Sequence, residues 1–224
     1  PEGVPYPQTV TGADMGRLEG LVADKGAGLG SRRPDKPNPV YDALEAPDYL
    51  RSRLLAPMAM PQPVIAAVNG ACAGVGLAIA VHCDIRFGSP AALFTAAFPR
   101  RGLTAEAGLA WSLPRIIGRA AASDMMLSGR RIGAAEAEKT GLLNAVIEED
   151  VLSHAIAYAR DIAANCSPRS TRTIKRQLRL AADQDQREAV ILAYDEVVAS
   201  LACEDFKEGV ASFVERRPPR FSGR

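Results

Sequence analysis

The residues best placed to do chemistry form a turn of small side chains. The run VIAAVNGACAGVGLAIA, residues 64–80, predicts a buried strand, a turn and a helix that begins at about Gly76. The first N–H groups of such a helix have no partner inside it, and the helix dipole favours negative charge there. The turn is therefore a candidate anion site or oxyanion hole.

The glycines of this turn, Gly70, Gly74 and Gly76, also match a GxxxGxG nucleotide-binding turn. A short-chain dehydrogenase built on it would need a Tyr-x-x-x-Lys pair for proton transfer. None of the five tyrosines has a lysine four residues later, and the turn begins a third of the way along the chain. The glycine-rich segment 27–40 has loop composition and no apolar strand before it, so we interpret it as a surface loop.

The sequence offers few residues that could form a metal centre or another kind of catalytic site. His82 and His154 lie too far apart for a local metal motif, and the four cysteines include no CxxC pair. We therefore expect no metal, and free buried thiols in a reducing compartment.

The elements that must position the turn follow from apolar periodicity and turn signals. Strands are predicted over residues 64–68, 84–87 and 143–147, and helices over 47–58, 76–82, 115–128 and 134–140. After Asp150 the pattern is helical: 151–164, a helix opened by Ser167-Pro168, 187–202 and 205–215. The helix after Ser167 carries a basic stripe: Arg172, Lys175, Arg176 and Arg179. Such a stripe is most often a solvated face, with a phosphate site as the alternative.

Composition and charge exclude several classes of protein. The chain has 224 residues, 47% hydrophobic and 24% charged, which excludes disorder. Lys and Arg number 27 against 26 Asp and Glu, which does not indicate nucleic-acid binding. The uncharged stretch 54–83 is interrupted by three prolines and by Asn69-Gly70, and so does not predict a membrane span. We expect a cytoplasmic protein without nucleic-acid or membrane partners.

Four segments, in sequence order, resemble the crotonase (enoyl-CoA hydratase/isomerase) superfamily. They are TGADMGRL, PQPVIAAVNGACAGVGLAIAVHCDI, LSGRRIGAAEAEKTGLLNAVI and EDFKEGVASFVERRPPRF, and together they span about residues 11–221. The resemblance implies an α/β fold with a crotonase-type ββα spiral core over residues 1–165 and a C-terminal helical trimerisation module over 166–224. The strands that usually precede the TGAD segment are expected to be missing from the core.

The resemblance also implies a substrate and a site. Family members bind acyl-CoA, so coenzyme A would be part of the substrate, with no separate cofactor, and the chain would form a homotrimer or hexamer. Two backbone N–H groups, those of Ala13 and Val75, would form the oxyanion hole for the thioester enolate. Substrate-binding positions carried over from the family are Thr11, Asp14, Met15, Ala73, Gly74, Phe98 and Arg216.

The resemblance further indicates how the reaction would differ from hydration. Hydratases of the family use two glutamates, and the matching positions here are Ala78 and Phe98. Glu106, in RRGLTAEAGLAWSLPR, matches the single acid of isomerases that convert 3-enoyl-CoA to 2-enoyl-CoA. We expect such an isomerase, with Leu103, Trp111 and Phe98 excluding water around Glu106. A hydratase and a non-catalytic acyl-CoA-binding paralogue are the alternatives, and Glu106 would in the last case merely cap the following helix.

Overall fold

The computed structural model describes Leu50 and residues 54–224. Its elements are α1 (Ala56–Ala59), β1 (Ile65–Val68), β2 (Ala71–Ala73), α2 (Val75–His82), β3 (Ile85–Gly88), β4 (Leu93–Thr95), a 3-10 turn (Pro99–Arg101), α3 (Leu109–Ser128), β5 (Ile132–Gly133), α4 (Ala134–Lys139), β6 (Ala145–Val146), α5 (Val151–Asn165), α6 (Pro168–Leu180), α7 (Gln186–Leu201) and α8 (Glu204–Glu215). They form two compact units. The sheet unit contains Leu50, residues 54–59 and Ile65–Leu152, and the helical unit contains Met60–Val64 and Ser153–Arg224. The domain boundary predicted after residue 165 lies inside the helical unit.

The sheet unit repeats a strand–strand–helix pattern. β1 and β2 are consecutive but lie in different three-stranded sheets, ordered β1-β3-β6 and β2-β4-β5. After α2 the chain adds β3 parallel to β1, with Ile65 opposite Ile85, and then β4 parallel to β2, with Ala71 opposite Leu93. Parallel neighbours need a crossover connection, and α2 lies within that connection here. Successive ββα repeats thus stack on each other, as in the spiral core that the resemblance implies.

The local predictions are right where a segment carries its own signal. The strand at 64–68 is β1, although it is half-buried throughout, and the helix at 76–82 is α2. β2 and β4 were not predicted because three residues are too few to show alternation. α3 begins at Leu109, before the predicted residue 115, since Pro114 lies within the helix and does not open it. No helix in the described residues is long and apolar enough to span a bilayer.

Arg86, on β3, anchors the C-terminal end of α2. Its buried guanidinium donates from Nη1 to the Cys83 carbonyl at 2.6 Å and from Nε to the Leu142 carbonyl at 2.7 Å. Carbonyls at a helix C-terminus lack partners within the helix, so a cation there is stabilising. The Arg86 N–H also donates to Asn144 Oδ1 at 2.8 Å. Arg86 therefore fixes α2 and β3 to the segment that leads into β6.

His82, the last residue of α2, is buried. Its Nε2 lies 3.0 Å from Ser112 Oγ on α3. Burial lowers the pKa of His82 below 6.5, and the charge of Arg86 acts in the same direction, while backbone groups of Ala78 and Leu54 oppose both. Proton uptake by His82 is therefore less favourable in the folded chain than in the unfolded chain.

The lowered pKa of His82 predicts acid-sensitive stability. The contribution of neutral His82 to stability is fully present above the pKa that His82 has in the unfolded chain. It is lost as the pH falls from that value towards the lower pKa of His82 in the folded chain. The free energy of unfolding should fall by up to about 1.4 kcal/mol per pH unit in that interval. Urea unfolding between about pH 7.5 and 5.5 measures this, above the range where carboxylates titrate. His82→Gln should flatten the slope, and His154→Gln, at the exposed histidine, should not. An unchanged slope in His82→Gln would assign the pH dependence to other groups.

A buried carboxylate, that of Asp205, connects three segments of the helical unit. Ser167 caps α6, as predicted, by accepting a hydrogen bond from the Ser170 N–H at 3.1 Å. The Ser167 hydroxyl also donates to Asp205 Oδ2 at 2.5 Å. Asp205, buried at the start of α8, accepts from the N–H groups of Ser222 at 2.8 Å and Gly223 at 3.0 Å. One carboxylate therefore joins the beginnings of α6 and α8 to the C-terminal tail.

The basic stripe on α6 is not a solvated face along its whole length. Lys175 is buried, and its Nζ donates to the carbonyl of Gln62 at 2.9 Å. Arg176 forms an ion pair with Glu196 on α7. The prediction of a solvated face is wrong at Lys175, because spacing identifies the residues of a face but not what packs on it. Arg176 is ion-paired but exposed, as a solvated face requires.

The thiols differ in their environments. All four cysteines are free; Cys72 and Cys83 are buried, Cys166 is exposed and Cys203 is half-buried. The expectation of buried thiols is confirmed for Cys72 and Cys83 and is wrong for Cys166. Burial, reinforced by Cys83, raises the pKa of Cys72 to about 12. Cys72 is therefore a thiol at neutral pH and not a nucleophile.

Candidate functional site

The parallel pairing of β2 with β4 brings two candidate segments to one edge of a sheet. Ala73 and Thr95, which end these strands, lie opposite each other. Because parallel strands run in the same direction, Gly74-Val75 and the segment 96–106 both leave the sheet at this edge. The Gly74 N–H donates to the Thr95 carbonyl at 3.3 Å and joins the two segments. This edge is the candidate active site.

The turn after β2 places an N–H donor at the start of a helix. Gly74 has φ 52°, in the left-handed region that side chains with a Cβ rarely adopt. Apart from its chain neighbours, no atom of the described residues lies within 4 Å of where its Cβ would be. Backbone conformation, and not lack of space, therefore favours glycine there. Val75 is the first residue of α2, so its N–H has no partner within the helix. The predicted oxyanion donor thus lies at the positive end of the helix dipole.

Other predicted positions lie outside the described residues. These are Thr11, Ala13, Asp14 and Met15. The second oxyanion donor, Ala13, therefore stays a prediction.

Ala78 and Phe98 are core residues. They are 1% and 5% exposed and belong to the same hydrophobic cluster. Neither side chain can hold or move a proton. The Phe98 carbonyl organises the loop that follows by accepting from the N–H groups of Arg101 and Leu103, both at 2.9 Å.

Glu106 lies, half-buried, on the loop between the 3-10 turn and α3. Its Oε2 is fully buried and has no hydrogen-bond partner in the described part of the chain. The backbone next to it is bent, with φ 50° at Ala107 and 68° at Gly108. A non-glycine residue in the left-handed region stores strain that often accompanies a functional site. The geometry suits a carboxylate held ready to exchange a proton with a ligand.

The alternative role of Glu106, as a helix cap, is wrong. α3 begins at Leu109, its N-cap is Gly108, and no side chain caps it. The Glu106 backbone carbonyl, and not its carboxylate, contacts the helix by accepting from the Leu109 N–H at 3.0 Å.

The predicted apolar surroundings of Glu106 are only partly present. Phe98 is buried, whereas Leu103 and Trp111 are 41% and 38% exposed. These two side chains therefore do not exclude water in the way the sequence led us to expect. Their exposure follows from their positions, Leu103 on a loop and Trp111 in the first turn of α3.

Thr95 is a positioning residue that the sequence did not reveal. Its carbonyl accepts from the Gly74 N–H, and its hydroxyl donates to the Gly129 carbonyl at 3.1 Å and accepts from the Ala97 N–H at 3.2 Å. Thr95 thereby links the Gly74-Val75 turn, β4 and the end of α3. Strand β4 has only three residues and gives no periodic signal.

Arg216, in the helical unit, is exposed at the C-cap of α8 with φ 53°. It forms no ion pair within the described residues. Arg217 is bound differently, because its guanidinium holds Glu208 through two hydrogen bonds and also pairs with Glu215. The Arg217 guanidinium is the main cause that lowers the pKa of Glu208 to about 2. Arg217 is therefore structural, and the predicted role of Arg216 in substrate binding stays a prediction.

Comparison with known proteins gives one family model and several relatives. The family model described as enoyl-CoA hydratase/isomerase matches residues 45–224. The chain is 38% identical over 217 residues to a protein named probable enoyl-CoA hydratase from Mycobacterium tuberculosis, covering 95% of this chain and 75% of that protein. It is 31% identical over 212 residues to the 1,2-epoxyphenylacetyl-CoA isomerase of Escherichia coli, covering 89% and 76%.

Solved structures support the same assignment. A probable enoyl-CoA hydratase/isomerase from Mycobacterium abscessus aligns with a TM-score of 0.72 at 34% identity, covering 75% of this chain and 68% of that one. An enoyl-CoA hydratase from Polaromonas aligns with a TM-score of 0.75 at 29% identity, covering 93% and 76%. The fold is therefore the crotonase fold. The chain belongs to the enoyl-CoA hydratase/isomerase family, and both predictions are confirmed.

Proposed function

We propose that this chain is an acyl-CoA enzyme of the Δ3-Δ2 enoyl-CoA isomerase type, with Glu106 as its single acid–base group. The observation that carries the proposal is the buried, unpaired Oε2 of Glu106, on the segment that leaves β4 at the same sheet edge as Val75. A carboxylate without a partner has its proton-accepting capacity free for a ligand.

The reaction needs one carboxylate because the proton is returned to the same molecule. Glu106 removes a proton from C2 of a 3-enoyl-CoA, and the electron pair of that C–H bond moves towards the thioester carbonyl. The negative charge on the resulting dienolate oxygen is held by the Val75 N–H, with Ala13 as the proposed second donor. Protonated Glu106 then delivers the proton to C4, the double bond forms between C2 and C3, and the carboxylate is regenerated.

The choice of isomerase over hydratase follows from the two core positions. Hydration must activate a water molecule and also protonate carbon. Ala78 and Phe98, where the family resemblance places the hydratase glutamates, are apolar and buried. The relatives' names support hydration as the second candidate, since the Mycobacterium tuberculosis protein is named a hydratase.

The activity test is direct. Purified protein should convert 3-hexenoyl-CoA to 2-hexenoyl-CoA, followed by the ultraviolet absorbance of the conjugated thioester. Binding of hexanoyl-CoA, which cannot react, is measured in parallel by calorimetry. Binding without turnover would favour the non-catalytic paralogue, and no binding of either thioester would contradict the proposal.

The helical unit supports a proposed homotrimer or hexamer. α7 and α8 expose large apolar side chains, including Tyr194, Val198, Phe213 and Val214, with Phe213 84% exposed. Apolar surface of this extent is typical of a protein interface. Sedimentation velocity at micromolar concentration should show a trimer or a multiple of it, and Phe213→Asp should shift the equilibrium towards monomer. A wild-type chain that sediments only as monomer would contradict this prediction.

A further inference from the structure

Trp111, the single tryptophan of the sequence, does not contribute its ring fully to the core. Its helical neighbours Leu109, Ser112 and Leu113 are buried, whereas more than a third of Trp111 is exposed. The ring therefore offers a large apolar surface on the side of α3 that does not pack in the core.

Arg115 holds this ring in place. The guanidinium carbon lies 3.9 Å from the centre of the Trp111 ring, and Nη1 donates to the Trp111 carbonyl at 2.8 Å. The cation covers one face of the indole and restricts its rotamers, so the remaining surface is preorganised for a ligand.

The position of Trp111 in the first turn of α3 places it next to the Glu106 loop in the chain. Side chains of a helix lean towards its N-terminus and cover the turn before their own Cα. That turn is Glu106–Gly108, because the Trp111 N–H donates to the Gly108 carbonyl at 2.9 Å and the Leu109 N–H to the Glu106 carbonyl at 3.0 Å. The positive φ angles at Ala107 and Gly108 bend this turn. A stacked indole and a carboxylate oxygen that has no partner among the described residues therefore belong to the same end of α3.

We propose that Trp111, stacked on Arg115, is a specificity-determining residue that contacts the acyl part of a bound acyl-CoA and favours flat, aromatic or conjugated acyl groups. The inference rests on the proposed acyl-CoA site at Glu106. A planar group stacks on the indole with little loss of conformational freedom, whereas a flexible saturated chain must give up rotamers to make the same contact.

The test compares two thioesters that lack a reactive double bond, phenylacetyl-CoA and hexanoyl-CoA, by isothermal titration calorimetry. Wild-type protein should bind phenylacetyl-CoA about tenfold more tightly, the scale of one aromatic stacking contact. Trp111→Leu should abolish the preference, and Trp111→Phe should keep most of it. Leu127→Ala, at an exposed apolar residue of α3 beyond the break in helical geometry at Gly118, is the control and should leave the ratio of affinities unchanged.

The outcomes separate this inference from the proposed function. The role of Trp111 would be overturned if the wild type bound both thioesters equally tightly. It would also be overturned if Trp111→Leu left the ratio of the two affinities unchanged, or if Leu127→Ala changed that ratio by the same factor. None of these outcomes would contradict acyl-CoA binding itself. Binding of neither thioester would overturn both proposals. Because the sequence has one tryptophan, phenylacetyl-CoA should also change the emission of the wild-type protein. Unchanged emission at saturation would place the ring away from the ligand.

Discussion

Glu106→Gln should lower the rate of 3-enoyl-CoA isomerisation by about 10²–10⁴-fold, the contribution typical of a general acid–base group. The amide has nearly the shape of the carboxylate but cannot take the C2 proton. Oε2 has no partner in the described structure, so the substitution breaks no hydrogen bond there. Hexanoyl-CoA affinity and the free energy of unfolding should therefore change little, and the loss should appear in kcat and in kcat/KM alike.

Two further variants make this result specific to Glu106. Glu148→Gln removes one exposed carboxylate from the same unit and should leave the rate unchanged. Glu106→Asp keeps the acid on a shorter side chain and should recover part of the activity. If Glu106→Gln isomerises as fast as the wild type, the acid–base role is wrong. A non-catalytic acyl-CoA-binding protein would then be favoured only if the wild-type turnover also proved negligible.

Hydration of 2-enoyl-CoA should be slower than isomerisation by at least about 10²-fold in the same preparation, since each acid–base group contributes roughly 10²–10⁴-fold. Ala78 and Phe98 supply no carboxylate to activate water, and both are packed in the core cluster. The Val75 N–H can still stabilise an enolate, so acyl-CoA should bind normally even though water is not added.

The measurement follows crotonyl-CoA by loss of its conjugated absorbance, and incorporation of oxygen from labelled water identifies the product. The isomerisation rate, measured on the same sample, controls for the fraction of active protein. Hydration at a rate equal to or above isomerisation would overturn the assignment and would require a water-activating group that neither core position provides.

Sequence alone determined the features whose signals are local or follow a family motif. An apolar run gave the position of β1, small residues after it indicated α2, and Ser167-Pro168 marked the start of α6. Each depends on a few consecutive residues whose dihedral preferences, capping or burial decide the local structure. The ordered motifs supported the family, which the comparisons then confirmed.

Tertiary structure decided which of these residues act together. Pairing of β2 with β4, across some twenty positions of sequence, brings the Val75 turn and the Glu106 segment to one edge, and neither short strand carries a periodic signal. The same kind of long-range packing buries Lys175 in a stripe predicted to be solvated, and it buries Glu106 Oε2 without a hydrogen-bond partner among the described residues. Residue type and spacing define what a side chain can do. The elements packed against it decide whether its charge is paired, buried or free, because burial and hydrogen bonding depend on residues that are distant in the sequence.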